Sequence, residues 1–296
     1  MRIRAGYELT YECPQPTAML LALNIHPSRR VDLLTDQVLT FSPEVEARDY
    51  VDGFGNVCTR VVAPQGALTV STLFDIHDSG QPDVVAPAAP QHDIRDLPDD
   101  ALVFLLGSRY CETERLMPIA WQLFGHIQPG WARVQAICDY VHNRLSFGYG
   151  YARATRTAAQ AHEERVGVCR DFAHLAVALC RAMGIPARYT TGYLGDIGVP
   201  PAPCPMDFSA WFEAWLEGGW YAFDARHNTP RIGRIPIAHG RDATDVAFVT
   251  SFGAHRMLGF KVWTDELAEE RRPPRTTRKT ARRGGTAGAP LQAASA

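Results

Sequence analysis

Apolar and polar residues alternate along much of the first 80 residues, which is the period of a β-strand with one buried face. In the first strand candidate, 2–11, the apolar side consists of alternate residues: Ile3, Ala5, Tyr7, Leu9 and Tyr11. The other strand candidates are 18–24, 38–41 and 66–76. Segment 50–58 carries the Asp-Gly and Gly-Asn pairs that β-hairpin turns use. Several short strands at this spacing predict a small all-β sandwich.

The hydrophobic period changes to three and four residues after a Pro- and Ala-rich segment, which we interpret as a linker. The predicted helices are 112–124, 131–145, 158–164 and 169–183. The strands predicted after them are 188–193, 210–216 and 220–224. Helices followed by antiparallel strands favour an α+β domain over a βαβ repeat.

These patterns divide the chain into four parts. We predict a β-rich N-terminal domain over 1–80, a linker over 81–98, an α+β domain over 99–265 and a disordered basic tail over 266–296.

Composition narrows the class of protein. A hydrophobic content of 46% with 21% charged residues is ordinary for a soluble globular chain, and a net charge of -2 gives no reason to expect nucleic acid or a membrane surface as a partner. No apolar run reaches the ~20 residues of a membrane-spanning helix, and the first residues lack the apolar core of a signal peptide. The seven cysteines form no Cys-x-x-Cys pair, a pattern that favours reduced thiols. We therefore expect a cytoplasmic protein.

Cys169 is the first candidate for chemistry. It follows a small-residue turn and opens a long apolar helix. Unpaired backbone N–H groups and the positive end of the helix dipole favour thiolate over thiol, and thiolate is the nucleophile. The same N–H groups are suited to hold the oxyanion that forms when the thiolate attacks a carbonyl.

Four motifs together resemble the bacterial transglutaminase-like superfamily of papain-like cysteine proteases. They are Gly-Val-Cys-Arg-Asp-Phe-Ala-His at 167–174, Gly-Ile-Pro-Ala-Arg at 184–188, Asp-Phe-Ser-Ala-Trp at 207–211, and an Asp at the end of the next strand. The resemblance extends over nearly all of the chain to about Trp263. It implies a core in which the cysteine-bearing helix packs on an antiparallel sheet, preceded by the β-rich domain that accompanies this family. It places the family nucleophile on Cys169 and the family carboxylate on Asp224.

One position departs from the family pattern, because the family histidine falls on Ser209. A serine hydroxyl cannot accept a thiol proton near neutral pH. His227, three residues after Asp224, is the first substitute base, and an exposed turn histidine is the alternative interpretation. His174 lies five residues after Cys169 on the same helix, well around it from the thiol, so we expect it to pack rather than to react.

Two functional hypotheses follow. The leading one is a cysteine protease or amidase that acts on peptide or glutamine-type amides through a Cys169 thioester, with hydrolysis favoured over crosslinking. The alternative is a catalytically degenerate member, without the family histidine, that binds peptides or proteins. The expected partner is a peptide or protein substrate, and no cofactor or metal is expected because neither a phosphate-binding glycine loop nor metal-ligand spacing occurs.

Overall fold

The structure is a computed structural model that describes residues 1–202 and 205–268 of the 296-residue chain. The predicted tail lies outside the described residues from residue 269 onward, and there it stays a prediction. No helix of the described part is both long and apolar enough to cross a bilayer.

Fourteen strands are present in the described residues. In chain order they are β1 Arg2–Cys13, β2 Thr17–Leu21, β3 Thr40–Ser42, β4 Ala47–Val51, β5 Val57–Ala63, β6 Gly66–His77, β7 Ser146–Phe147, β8 Val166–Gly167, β9 Ala187–Tyr193, β10 Ser209–Leu216, β11 Gly219–Phe223, β12 Ile235–Gly240, β13 Val249–Ser251 and β14 Arg256–Leu267.

Five α-helices are described, and four of them match the predicted helices to within a few residues. They are α1 Asp99–Leu102, α2 Thr113–Phe124, α3 Trp131–Arg144, α4 Ala158–Glu164 and α5 Cys169–Ala182.

The N-terminal strands form the predicted sandwich of two antiparallel sheets, ordered β14-β1-β6-β3 and β13-β2-β5-β4. The predicted apolar side of β1 is fully buried, and it packs in one core with Met19 and Leu21 of the opposite sheet. That core also contains Tyr189 and Tyr193 of β9, so the sandwich and the sheet that follows share buried surface.

The second half of the chain is an α+β unit centred on α5. Every residue from Asp171 to Ala182 is buried, because α5 contacts α2, α3 and α4 as well as strands β9 and β10. The sheet beside it is antiparallel, ordered β11-β10-β9-β12. This confirms the expected core, in which the cysteine-bearing helix packs on an antiparallel sheet.

Two segments differ from their sequence interpretation. Strands β13 and β14 pair with β2 and β1, although the sequence pattern grouped residues to 265 with the α+β domain. The predicted linker is held in place rather than free, because Ala89 lies in the core with α2 and α3 and its carbonyl accepts the N–H of Trp131. Strand pairing across the whole chain and single buried contacts are not visible in local composition, which explains both differences.

Candidate functional site

The start of α5 is fixed by a buried carboxylate. Asp171 accepts the backbone N–H of Val168 at 2.9 Å and the Arg156 guanidinium at 3.0 Å on the same oxygen. A Cβ on Gly167 would lie 2.6 Å from the Cβ of Asp171, so only glycine fits before this turn. The Gly-Val-Cys-Arg-Asp motif is therefore a helix start that places Cys169 at the first helical position.

Cys169 is half-buried, and the backbone N–H groups of Arg170 and Ala210 lie near enough to its sulfur to lower the pKa of the thiol. The pKa of this thiol is raised to about 11, chiefly by burial and also by the charge of Asp207, whereas Arg226 and the two N–H groups lower it without overcoming burial. Loss of solvation therefore opposes the thiolate that the sequence argument expected from the helix terminus. The two N–H groups remain suitably placed for an oxyanion at the thiol.

Ser209, at the family histidine position, is the first residue of β10 and pairs with Gly192 of β9. Its side chain is buried, with 6% of the residue exposed, and its hydroxyl has no hydrogen-bond partner in the described part of the chain. The residue after it is Ala210, whose N–H faces the thiol, so the unpartnered hydroxyl belongs to the surroundings of Cys169.

Asp224 and His227 form a hydrogen-bonded pair just after β11. His227 Nδ1 lies 2.8 Å from Asp224 Oδ2, and the backbone N–H groups of Arg226 and His227 donate to Asp224 Oδ1. Burial alone would raise the pKa of Asp224, but the hydrogen bonds from His227 and the positive charge of Arg234 hold it well below its usual range. An ionised carboxylate that accepts from Nδ1–H leaves Nε2 as the nitrogen free to accept a proton.

Arg234 and Asp83 extend the Asp224–His227 pair into a buried network, and the sequence analysis predicted neither of them. Arg234 donates to Asp224 Oδ2 at 3.1 Å and to both carboxylate oxygens of Asp83 at 2.9 and 3.0 Å. Its guanidinium also lies 4.9 Å from the centre of the Trp211 ring. Asp83 belongs to the segment interpreted as a linker, where nothing in the Pro-Ala composition signals an ion pair.

Two cavities meet at the segment before β10. The thiol cavity, of about 330 Å³, is lined by Cys169, and the imidazole cavity, of about 60 Å³, is lined by His227 and Arg226. Residues 207–209 line both cavities. The structure thus places Cys169 and His227 on the two sides of one three-residue wall that contains Ser209.

His174 packs, as the sequence predicted. It is fully buried, stacks on Tyr110 with ring centres 5.2 Å apart, and accepts the backbone N–H of Ala243 through Nε2 at 3.1 Å. Burial lowers its pKa to about 3, so it stays neutral over the physiological range. Its contact with Ala243 anchors the loop after β12, which forms one side of the thiol cavity.

Side chains that bind metals do not cluster in residues 1–202 and 205–268, since no group of three or more His, Cys, Asp or Glu is arranged to hold an ion. The groups described above are a thiol, an imidazole–carboxylate pair and backbone N–H donors.

The chain is similar to known proteins in sequence and fold. The family model of the transglutaminase-like superfamily matches residues 120–225, which include Cys169, Ser209 and Asp224. A solved structure from Cytophaga hutchinsonii, provisionally described as a cysteine protease, is 31% identical, with a TM-score of 0.77 over 92% of this chain and 93% of that one.

The chain is also similar to curated proteins from mycobacteria. An uncharacterized protein of Mycobacterium leprae is 28% identical over 255 residues, which cover 83% of this chain and 90% of the relative. An uncharacterized protein of Mycobacterium tuberculosis is 32% identical over 118 residues, or 35% of this chain and 37% of the relative. The near-complete coverage by the Cytophaga structure, at this identity, shows that the chain belongs to the transglutaminase-like superfamily.

Proposed function

We propose that the protein is a thiol amidase or peptidase in which Cys169 attacks the carbonyl carbon of a peptide or glutamine-type amide. The observation that carries the proposal is that residues 207–209 have on one side a half-buried cysteine with two N–H groups near its sulfur, and on the other an imidazole fixed by an ionised carboxylate. The family supports it, since the solved relative from Cytophaga is provisionally described as a cysteine protease.

The proposed reaction proceeds through a thioester. As substrate binds, the segment 207–209 and the His227 ring must rearrange so that Nε2 reaches the thiol. Nε2 then takes the thiol proton as the Sγ–C bond forms, and the N–H groups of Arg170 and Ala210 hold the oxyanion. His227 then protonates the leaving nitrogen, and the C–N bond breaks. Water, deprotonated by His227, attacks the thioester carbonyl, which releases the carboxylic acid and restores the thiol. Asp224 keeps Nδ1 protonated and orients the ring throughout.

The raised pKa of Cys169 makes a base necessary. With a pKa of about 11, only about one thiol in 10⁴ is ionised at pH 7. Attack at neutral pH therefore depends on transfer of the proton to a base as substrate binds, and His227 is the base that the site offers beside the shared wall.

We also propose a cytoplasmic location, which is supported by the lack of a Cys-x-x-Cys pair among the seven cysteines, a pattern that favours reduced thiols.

A binding module is the second candidate function. It is favoured by Ser209, which leaves the thiol without the family base, and by the absence, among the described residues, of a hydrogen bond between the Cys169 sulfur and an imidazole. In this case the protein would hold a peptide in the thiol cavity without cleaving it.

Alkylation of Cys169 by iodoacetamide distinguishes the two functions. Wild type is compared with His227→Ala and with a control, His126→Ala, which replaces an exposed histidine. If His227 is the base, alkylation at pH 7 slows at least tenfold in His227→Ala and is unchanged in the control, and hydrolysis of a peptide amide panel is lost in parallel. Equal alkylation rates in all three proteins, with no hydrolysis by wild type, would favour the binding module.

A further inference from the structure

Most residues that line the thiol cavity are apolar. Its apolar lining residues are Tyr189, Phe208, Ala210, Ala243, Val246, Ala247, Phe248, Val249 and Met257. Its polar and charged side chains are Arg170, next to Cys169 on α5, and Thr191, Asp207 and Ser209, which lie on or next to β9 and β10. A cavity of about 330 Å³ with this division has the size and character of a ligand pocket.

The cavity is held open by fixed elements. Phe208, at its base, is buried and packs against Phe248 with ring centres 4.3 Å apart and against Tyr193 at 5.2 Å. A pocket whose aromatic base is fixed by its neighbours loses little conformational entropy when it is filled.

The loop that forms the far side is held by buried acceptors. Asp242 accepts the backbone N–H groups of Tyr110 and Thr244, both at 2.8 Å, and His174 accepts that of Ala243. Because Asp242 and His174 are themselves buried, this side of the cavity has one well-defined arrangement.

From these observations we infer that the thiol cavity receives an apolar side chain of the substrate, aliphatic or aromatic, next to the carbonyl that Cys169 attacks. This inference rests on the proposed function and narrows it from amides in general to amides of apolar residues. Cys169 and Ala210, which supply the nucleophile and an N–H donor, line the same cavity, so its occupant lies beside the reacting carbonyl.

A glutamine side chain fits this cavity less well. Its amide has two N–H donors and a carbonyl acceptor to satisfy, and the far side of the cavity offers hydrocarbon and aromatic surfaces. A buried amide without partners loses its hydration without compensation, whereas a leucine or phenylalanine side chain gains from leaving water. The preference is expected to be about 10- to 100-fold in kcat/KM.

Met257 and Leu258 offer a matched pair of variants. They are neighbours on β14 with 45% and 49% of their surface exposed, and Met257 lines the cavity whereas Leu258 does not. Because both are exposed, neither Met257→Ala nor Leu258→Ala should impair folding, and a difference between them reports on the cavity.

The test measures hydrolysis of N-acetyl-leucine, -phenylalanine, -glutamine and -glutamate 4-nitroanilides by the full chain. The expected result is at least a tenfold preference for the first two over glutamine, reduced severalfold in Met257→Ala and unchanged in Leu258→Ala. Equal or faster hydrolysis of the glutamine substrate overturns the inference, as does a Met257→Ala variant that behaves like Leu258→Ala.

A second measurement separates this inference from the proposed function. N-acetyl-leucinamide and N-acetyl-glutaminamide are compared for protection of Cys169 against iodoacetamide, which needs no turnover. Protection by the leucine compound alone, with no hydrolysis of any anilide, would mean that the apolar pocket exists and the proposed amidase does not. Hydrolysis of the anilides without selective protection by the leucine compound would support the proposed amidase and contradict the inferred apolar pocket.

Discussion

Removal of the Arg234 guanidinium should strongly destabilise the fold, and Arg234→Met tests this. The side chain is 7% exposed and makes ion pairs with two carboxylates, Asp83 at 2.9 Å and Asp224 at 3.1 Å, whose side chains are 13% and 2% exposed. Methionine fills much of the same volume but leaves both charges without their partner. Breaking a buried ion pair from one side costs about 3–5 kcal/mol.

A surface pair provides the control. Arg256 lies 2.7 Å from Glu12, a shorter distance, but the two side chains are 73% and 46% exposed. Exposed pairs contribute about 0–1 kcal/mol, so Arg256→Met should change the free energy of unfolding by no more than that. By distance alone, the Arg256–Glu12 pair would be expected to stabilise the fold more than the Arg234 pairs. Burial reverses this expectation.

Urea unfolding at pH 7, followed by tryptophan fluorescence, measures both variants. The double variant Arg234→Met/Asp83→Leu adds a second check, because removal of one carboxylate together with the guanidinium should recover part of the loss. If Arg234→Met costs less than about 1 kcal/mol, as Arg256→Met should, the buried network does not stabilise the fold and the reasoning is refuted.

Three further predictions follow from the site. Ser209→His should raise the alkylation rate of Cys169 at pH 7 at least tenfold relative to Ser209→Asn, which adds similar bulk without a titratable ring; equal rates would show that position 209 does not reach the thiol. Gly167→Ala should lower the free energy of unfolding by about 1–3 kcal/mol because its Cβ meets Asp171, whereas Gly53→Ala, with nothing within 4 Å, should change it little. Burial lowers the pKa of His174 to about 3, so between pH 6.5 and 3 the unfolded chain binds a proton that the folded chain does not, and stability falls as the pH falls. At pH 5 this histidine should cost about 2 kcal/mol relative to pH 7, and urea unfolding of His174→Gln should show a correspondingly shallower pH dependence.

The helices, most strands and the β10–β11 hairpin could be predicted because their signals are local. Hydrophobic period, turn residues and the motif around Cys169 all lie within short windows of sequence. The hairpin register follows from its two-residue turn, Glu217-Gly218, in which both residues have positive φ: Phe212 faces Phe223, which puts Asp224 at the end of its strand near β10, as expected.

Features that depend on distant parts of the chain could not be predicted. The ion pair of Asp83 with Arg234 joins residues 151 apart, and the antiparallel pairing of β1 with β14 joins the two ends of the described chain. The raised pKa of Cys169 could not be predicted for a related reason. The helix terminus is visible in the sequence, but burial of the thiol by β10 and the loop after β12 is not.

The return of β14 to the first strand has a consequence for biosynthesis. Residues 2–12 of β1 lie between β6 and β14, so one edge of the first sheet stays open until residues 256–267 have left the ribosome. By then α5 and the sheet that holds Asp224 have been synthesised and can fold, because domains generally fold as the chain emerges. The open edge of β1 is the hazard of this order, since an unpaired strand is a template for pairing with other chains. Closure by β14 completes the first sheet and moves its edge to β14, where exposed charged residues such as Arg256, Lys261 and Glu266 disfavour pairing with other chains.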